Sequence, residues 1–298
     1  MNADVDGRLS ARFFFTMALT PITAGSFILR TDRPLVMGVV NVTPDSFSDG
    51  GKYLHRDDAV AHALRLIDDG ADILDIGGES TRPGAAPASL DEELARVMPV
   101  IDALASCGTP LSIDTQKPEV MDAAIRAGVS MVNDVNALRA AGAVEVCARS
   151  RVAVCLMHMQ GAPASMQSRP TYVDVVAEVG AFLLQRAATC ISAGIDQNRI
   201  VLDPGIGFGK SLEHNLALLR AMEQFAASGF PAMVGVSRKS MFKAMLGRAA
   251  DDRLVPSVVA GVLAAQRGAT ILRVHDVRET CDALRVWQAV AAPNSWTK

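Results

Sequence analysis

Only five cysteines occur in 298 residues. Cys107, Cys147, Cys155, Cys190 and Cys281 are odd in number, with no Cys-x-x-Cys pair among them. A disulfide scaffold is therefore excluded, and thiols set mostly in apolar runs read as buried and reduced, in a cytoplasmic protein. Basic charge is not in excess either, since the formal net charge is −3 and the pI about 6.0. With no Lys/Arg cluster in the chain, no nucleic-acid partner is expected. No segment approaches the roughly 20 uninterrupted apolar residues of a membrane span. Residues 13–27 come nearest to a secretory leader, but Asp4 and Asp6 precede them, Pro21 breaks the run and no small-x-small cleavage site stands out. No membrane partner is expected, and residues 1–25 are expected to be a poorly ordered extension. A composition that is 50% apolar and 20% charged excludes disorder of the whole chain.

What is present from residue 35 onward is one repeated theme: a short β-branched apolar run, a polar or Gly-rich segment, then a longer segment of helical period. Eight such runs occur: LVMGVVN from Leu35, DILDIGG from Asp72, LSIDT from Leu111, SMVNDV from Ser130, VAVCLMH from Val152, RIVLDPG from Arg199, AMVGVS from Ala232 and TILRVH from Thr270. Gly70, Gly128 and Gly268 each stand just before the next run, where a left-handed helix C-cap fits. Near-continuous apolar strands are buried on both faces, which makes the sheet parallel with helices outside it. Eight units in about 260 residues predict an α/β fold, a closed (β/α)₈ TIM barrel in a single domain over residues 26–298. The alternative, a doubly wound open sheet, is disfavoured because no Gly-x-Gly-x-x-Gly turn follows the first strand.

Barrel chemistry sits on the loops after the strands, so the strand-end residues are the candidates. They are Asn41, Glu79, Asp114, Asn133 with Asp134, His158, Asp203, Lys239, and Arg273 with His275. Two connections, residues 42–56 and 77–89, exceed what a barrel turn needs and read as lids or as tolerated insertions. The segment DPGIGFGKS from Asp203 fails as a Walker A loop because Pro204 replaces the required Gly. It fails as a dinucleotide fingerprint because Lys210 stands where the third Gly belongs. It reads instead as a Gly-rich floor for a flat ligand, with Phe208 available to stack. Arg273 and His275 point to one side of their strand, and with the Ser237-Arg238-Lys239-Ser240 turn they read as cations converging on an anion. Asp114 and Asp203 could take paired hydrogen bonds from an amidine-like edge or could cap turns, with Thr115 a competing cap beside Asp114. His158 has no second ligand at metal spacing and reads as a packed, hydrogen-bonded histidine. No nucleophile elbow or Cys-His pair is present, so covalent catalysis is not indicated.

Motifs in order along the chain carry a family resemblance. They are MGVVNVTPDSFSDGG from Met37, DIGGESTRPG from Asp75, SIDT from Ser112, VNDV from Val132, MHMQG from Met157, DPGIGFGK from Asp203, SRKS from Ser237 and RVHDV from Arg273. This set closely resembles the dihydropteroate synthase family. The resemblance implies condensation of 6-hydroxymethyl-7,8-dihydropterin diphosphate with 4-aminobenzoate, giving 7,8-dihydropteroate and diphosphate. It implies a pterin held by Asp114, Asn133, Asp203 and Lys239, with Met157 and Phe208 packing on its ring. Asn41 would ligate Mg²⁺ on the diphosphate, which Arg273 and His275 would also hold. Thr81, Arg82, Pro83, Phe208 and Ser240 would shape the aminobenzoate pocket, and Asp45 and Phe47 belong to a closing first loop. Lys239, Arg273, His275, Asp45 and Arg82 would be the catalytic residues. Small-molecule substrates and a homodimer are implied too, and residues 254–265, apolar nearly all round, would suit burial against another subunit. A methyltetrahydrofolate-dependent methyltransferase on the same barrel, or an inactive paralogue, would be the competing functions.

Overall fold

A computed structural model describes residues 21–43, 52–80, 86–161, 166 and 170–291. It opens with an antiparallel hairpin, β1 (Ile22–Ala24) and β2 (Phe27–Leu29), in which Ile22 pairs with Leu29. Strand and helix then alternate: β3 (Leu35–Asn41), α1 (Lys52–Asp68), β4 (Ile73–Gly77), α2 (Leu90–Leu104), β5 (Leu111–Asp114), α3 (Pro118–Arg126), β6 (Met131–Asp134), α4 (Ala143–Ala148) and β7 (Ala153–Met157). The second half continues with α5 (Val175–Ser192), β8 (Ile200–Asp203), α6 (Leu212–Arg220), α7 (Met222–Ala226), β9 (Met233–Val234), α8 (Met241–Leu246), α9 (Leu254–Gln266), β10 (Ile271–Val274) and α10 (Val277–Ala291).

The eight strands from β3 onward form one parallel sheet in the order β8-β7-β6-β5-β4-β3-β10-β9. The sheet closes on itself where Leu202 of β8 bridges to Ala232 just before β9, and the Leu202 N–H donates to Pro231 O at 2.9 Å. This is the expected TIM barrel, and all eight apolar runs supply its strands. β9 is the shortest because Pro231 has no N–H for the ladder and Gly235 offers no side chain to pack. Gly70, Gly128 and Gly268 adopt φ of 101°, 99° and 93°, the left-handed turns expected before β4, β6 and β10.

Side chains of alternate parity divide the core. Val36, Val40, Leu74, Ile76, Ile113, Val132 and Leu156 point outward against the helices. Leu35, Met37, Ile73, Met131, Ala153, Val201, Met233 and Ile271 point inward and pack with Ile22, Ala24 and Leu29 of the hairpin, which plugs the barrel floor. Ile22 and Ala24 are 0% exposed, so the domain boundary expected between residues 25 and 26 falls inside a packed hairpin and moves toward the N-terminus. Residues 1–20 lie outside the described residues. Among the described residues one helix, Val175–Ser192, is long and apolar enough to cross a membrane by length and composition. It lies against β7 and β8 with Val175, Val179, Leu183, Ala187 and Cys190 buried.

Candidate active site at the barrel mouth

The strand register sets the site. Asn41 is level with Gly77, Gly77 with Asp114, and Asp114 with Asn133, so the C-terminal ends of β3 to β6 share one tier. Met157 is level with Asp203 on β7 and β8. Gly77 presents no side chain, and a Cβ there would lie 3.8 Å from Asp114 Oδ2 and 3.9 Å from Asn41 Oδ1. That gap lets Asn41 and Asp114 face the same space.

Below this tier Arg273 lies between two carboxylates. Its Nε donates to Asp75 Oδ2 at 2.6 Å and its Nη2 to Asp114 Oδ2 at 2.7 Å. Asn133 Nδ2 donates to the same Asp75 oxygen at 3.0 Å. Burial opposes the Arg273 charge, but Asp75 and Asp114 outweigh it and hold the guanidinium firmly protonated. Burial pushes the Asp114 carboxyl up to about 7, against the pull of Arg273 and with the push of Asp75. Asp75 itself is 0% exposed and was not among the candidates read from strand ends. The signal available for it was a single charge of inward parity inside the otherwise apolar run ILDIG.

The basic residues expected to converge on an anion do not all do so. Arg238 turns away from the mouth and forks onto Asp276, at 3.1 Å from Nε and 2.5 Å from Nη2. Burial, then Arg273 and Arg238, lower His275 to about 3, so it is a neutral imidazole, 3.0 Å from Ser237 Oγ through Nδ1. Arg273 is already matched by carboxylates. Lys239 is the cation that remains, and its Nζ sits 4.1 Å over the Phe208 ring. Burial and Arg273 lower its pKa to about 8, while Asp203 and Asp114 oppose that shift. Val135, Met157, Met159 and Met166 cluster with Phe208 as an apolar wall beside it.

The loop after β8 is held to the loop after β7. Asp203 Oδ1 accepts from the Gly205 N–H at 2.7 Å, a local turn and not a helix cap, because Ser211 caps α6. Gly205, Gly207 and Gly209 all have positive φ. The glycines expected as a floor for a ligand divide by role: a Cβ on Gly205 would lie 2.0 Å from His158 O and one on Gly209 2.4 Å from Gln160 O, whereas Gly207 faces Lys239 Cδ at 3.0 Å. Two of them serve loop packing. Lys210 is buried and bridges to His158 Nδ1, His158 O and Phe208 O at 3.0, 3.2 and 2.9 Å. Three acceptors match the three protons of an ammonium, although burial lowers Lys210 to about 7, and His158, lowered to about 3 by burial and then Lys210, is neutral. His158 is thus the packed, hydrogen-bonded histidine expected, edge-on to Phe182.

Two other strand-end residues face elsewhere. Asp134 accepts from the N–H groups of Asn136 and Leu138, both at 2.7 Å, and shapes a turn. Glu79 pairs with Lys117, which also reaches Glu93 at 2.5 Å. Thr115 Oγ1, and not Asp114, serves the turn before α3 by accepting from Lys117 N–H at 3.2 Å. Ser240 is exposed at the start of α8 and makes no capping bond. Asp45, Phe47, Thr81, Arg82 and Pro83 lie outside the described residues.

Residues 37–275 match the family described as pterin binding enzyme. The chain is 52% identical over 274 residues to a dihydropteroate synthase of Neisseria meningitidis serogroup B, covering 90% of this chain and 96% of the relative. A Xanthomonas albilineans dihydropteroate synthase solved with 4-aminobenzoic acid superposes with a TM-score of 0.87 at 52% identity, covering 92% of this chain and 99% of that one. A Burkholderia cenocepacia dihydropteroate synthase complexed with 7,8-dihydropteroate gives a TM-score of 0.86 at 47% identity, covering 94% and 99%.

Proposed function

The chain belongs to the pterin-binding enzymes, and within them to the dihydropteroate synthases, and from that premise we propose how its barrel mouth works. It is a transferase that joins 6-hydroxymethyl-7,8-dihydropterin diphosphate to 4-aminobenzoate, releasing diphosphate and 7,8-dihydropteroate. The observation that carries the residue-level reading is the convergence of Asp114, Asn133, Asp203, Lys239 and Arg273 on one mouth beside the Met157–Phe208 wall. Carboxylates and an amide there suit the amidine-like edge of a pterin, and the apolar wall suits its flat ring.

The methylene–oxygen bond to diphosphate breaks with its electron pair leaving on diphosphate, and the electron-rich pterin bears the positive charge on its methylene. The aminobenzoate nitrogen bonds to that carbon and gives up a proton to solvent, so the protein need supply no nucleophile. Charge grows on the departing oxygens, and Lys239 is the unmatched cation beside them, with Arg273, held by Asp75 and Asp114 through Nε and Nη2, as a second. Ser237 Oγ already accepts from the His275 N–H at 3.2 Å, so its hydroxyl can donate to Nδ1 and leave Nε2–H of the neutral imidazole as a third donor. Phe208 and Ser240 belong to the aminobenzoate end in this reading, to which the family resemblance also assigns Thr81, Arg82 and Pro83, and it assigns Asp45 to the catalytic set.

A divalent cation fits if it arrives on the diphosphate. Mg²⁺ commonly keeps several waters and binds through one or two protein oxygens plus substrate phosphates. Asn41 offers such an oxygen at the mouth, and among the described residues no group of three His, Cys, Asp or Glu is arranged to hold a metal ion by itself. When bound there, Mg²⁺ would offset charge on the leaving diphosphate. We place the enzyme in the cytoplasm, consistent with its unpaired thiols, and as a homodimer through α8 and α9.

The test is turnover of the purified chain with both substrates, with and without Mg²⁺. Dihydropteroate is expected only when both substrates and Mg²⁺ are present. No product under any condition overturns the activity, and full turnover in a chelator overturns the metal.

A further inference from the structure

Asp75 is an expensive residue to place where it is. It sits mid-strand in β4, 0% exposed, one tier below the mouth, and its Oδ1 has no hydrogen-bond partner. Ser112, level with it on β5, also buries a hydroxyl without a partner. An apolar side chain at this position would join the floor formed by Ile73 and Met37, so stability does not explain a carboxylate. Its other oxygen makes contacts that an apolar residue cannot. Oδ2 alone receives Arg273 Nε at 2.6 Å and Asn133 Nδ2 at 3.0 Å. A carboxylate is acceptor-only, so it dictates which way the Asn133 amide lies: the NH₂ turns down to Asp75, and the carbonyl oxygen is left to meet a donor. Gripping Nε also fixes the guanidinium plane while Nη2 reaches Asp114.

We propose that Asp75 is a positioning residue: shielded from substrate, it orients Asn133 and Arg273 for the pterin diphosphate. This rests on the reading of the mouth as a pterin site. Because Asp75 is an excess negative charge beside Asp114, it also helps set when Asp114 ionises. The groups around Asp114 are Arg273 and Lys239, which favour its charge, and Asp75, Asp134 and Glu93, which oppose it. Removing Asp75 leaves Arg273 and Asp114 as a one-to-one pair, so a folded variant is expected.

The experiment compares wild type, Asp75→Leu and Asp75→Asn, using calorimetric binding of 6-hydroxymethylpterin across pH 5.5–8.5, steady-state kinetics and thermal melts. Asp75→Leu is expected to weaken pterin binding at least tenfold and to raise the KM for the pterin diphosphate, with the aminobenzoate KM within about twofold. Asp75→Asn keeps the shape and one acceptor oxygen, so it should recover part of the affinity. It should also move the acid limb of pterin binding to lower pH. If Asp75→Leu does not fold, the Asp75→Asn limb decides. Pterin affinity and acid limb unchanged in folded variants, or a loss confined to melting temperature, would overturn the positioning role. Failure of wild type to bind the pterin would instead overturn the reading of the site.

Discussion

Asp114 has to be available as an anion in a place that penalises anions. Burial raises its pKa from 3.8 to about 7, and Arg273 pulls it down less than burial pushes it up. A group whose folded pKa lies above its unfolded value adds stability that is complete below the unfolded value and is lost as pH rises through the folded one. For Asp114 that window runs from about pH 4 to above pH 7. Asp114→Asn, which cannot ionise, is therefore expected to melt higher relative to wild type at pH 8 than at pH 5. The same variant should lose pterin affinity, because an amide presents donors where the ligand needs an acceptor. Paired melting curves at the two pH values check the first expectation, and an equal difference at both would show that the buried charge carries no penalty. Asp114 could be read from sequence because it ends a strand, where a polar residue stands out against the apolar run before it. Asp75 could not be placed the same way. Its importance comes from which atoms the closed barrel brings to it from β6 and β10, and neither strand is near it in sequence.

At the level of elements, the loop from β8 to α6 shows what local pattern conveys and what it omits. Its glycines mark a close approach, but sequence alone does not say whether ligand or protein backbone approaches. The fold answers by position. Gly205 packs on the His158 carbonyl, so a methyl group 2.0 Å from that oxygen requires backbone movement. Gly207 packs on the flexible Lys239 stem at 3.0 Å, which can shift. Both have left-handed φ, and an L-residue there costs roughly 1–2 kcal/mol before any clash. Gly205→Ala should then lose more than about 3 kcal/mol and fold poorly, as severe steric substitutions do. Gly207→Ala should fold with a cost near 1–2 kcal/mol and show its main defect in pterin binding, through displaced Lys239. Denaturant titration with pterin binding on both variants tests the division, and the opposite ranking would return Gly205 to the ligand floor. The cationic corner teaches a related point. Two-residue spacing predicts Arg273 and His275 on one face, but the strand ends at Val274, and the pairing of Arg238 with Asp276 and the neutrality of His275 depend on burial and on partners that spacing does not reveal.

At the scale of the whole molecule, the barrel was legible because eight buried strands need apolar runs on both faces, and that pattern survives in one dimension. The hairpin plug was not, because β1 and β2 are three residues each and their apolar content reads as a tail until a barrel floor exists to cover. The outer face near α8 and α9 poses the remaining question of scale. Val255, Val259 and Leu263 follow one another at helical spacing along α9 and are 70%, 51% and 46% exposed. Met245 and Leu246 at the end of α8 add 47% and 53%, and the groove between them is lined by Leu216, Leu219 and Phe242. A contiguous apolar patch rimmed by Arg220 and Arg267 is the kind of surface a monomer rarely leaves in water. An isologous contact would bury the same stripe on both copies, and a stable interface needs about 800 Å² from each. The patch lies on the outer helices, so it can be disrupted without touching the barrel mouth. Val259→Glu places a charge at the middle of the stripe, where the side chain is already half in solvent and the barrel core is not disturbed. By light scattering at micromolar concentration, wild type is expected at twice the 31.5 kDa chain mass and Val259→Glu at the chain mass. Circular dichroism of the variant should match wild type. A monomeric wild type, or a variant that stays dimeric, would assign this surface to something other than a second copy of the chain.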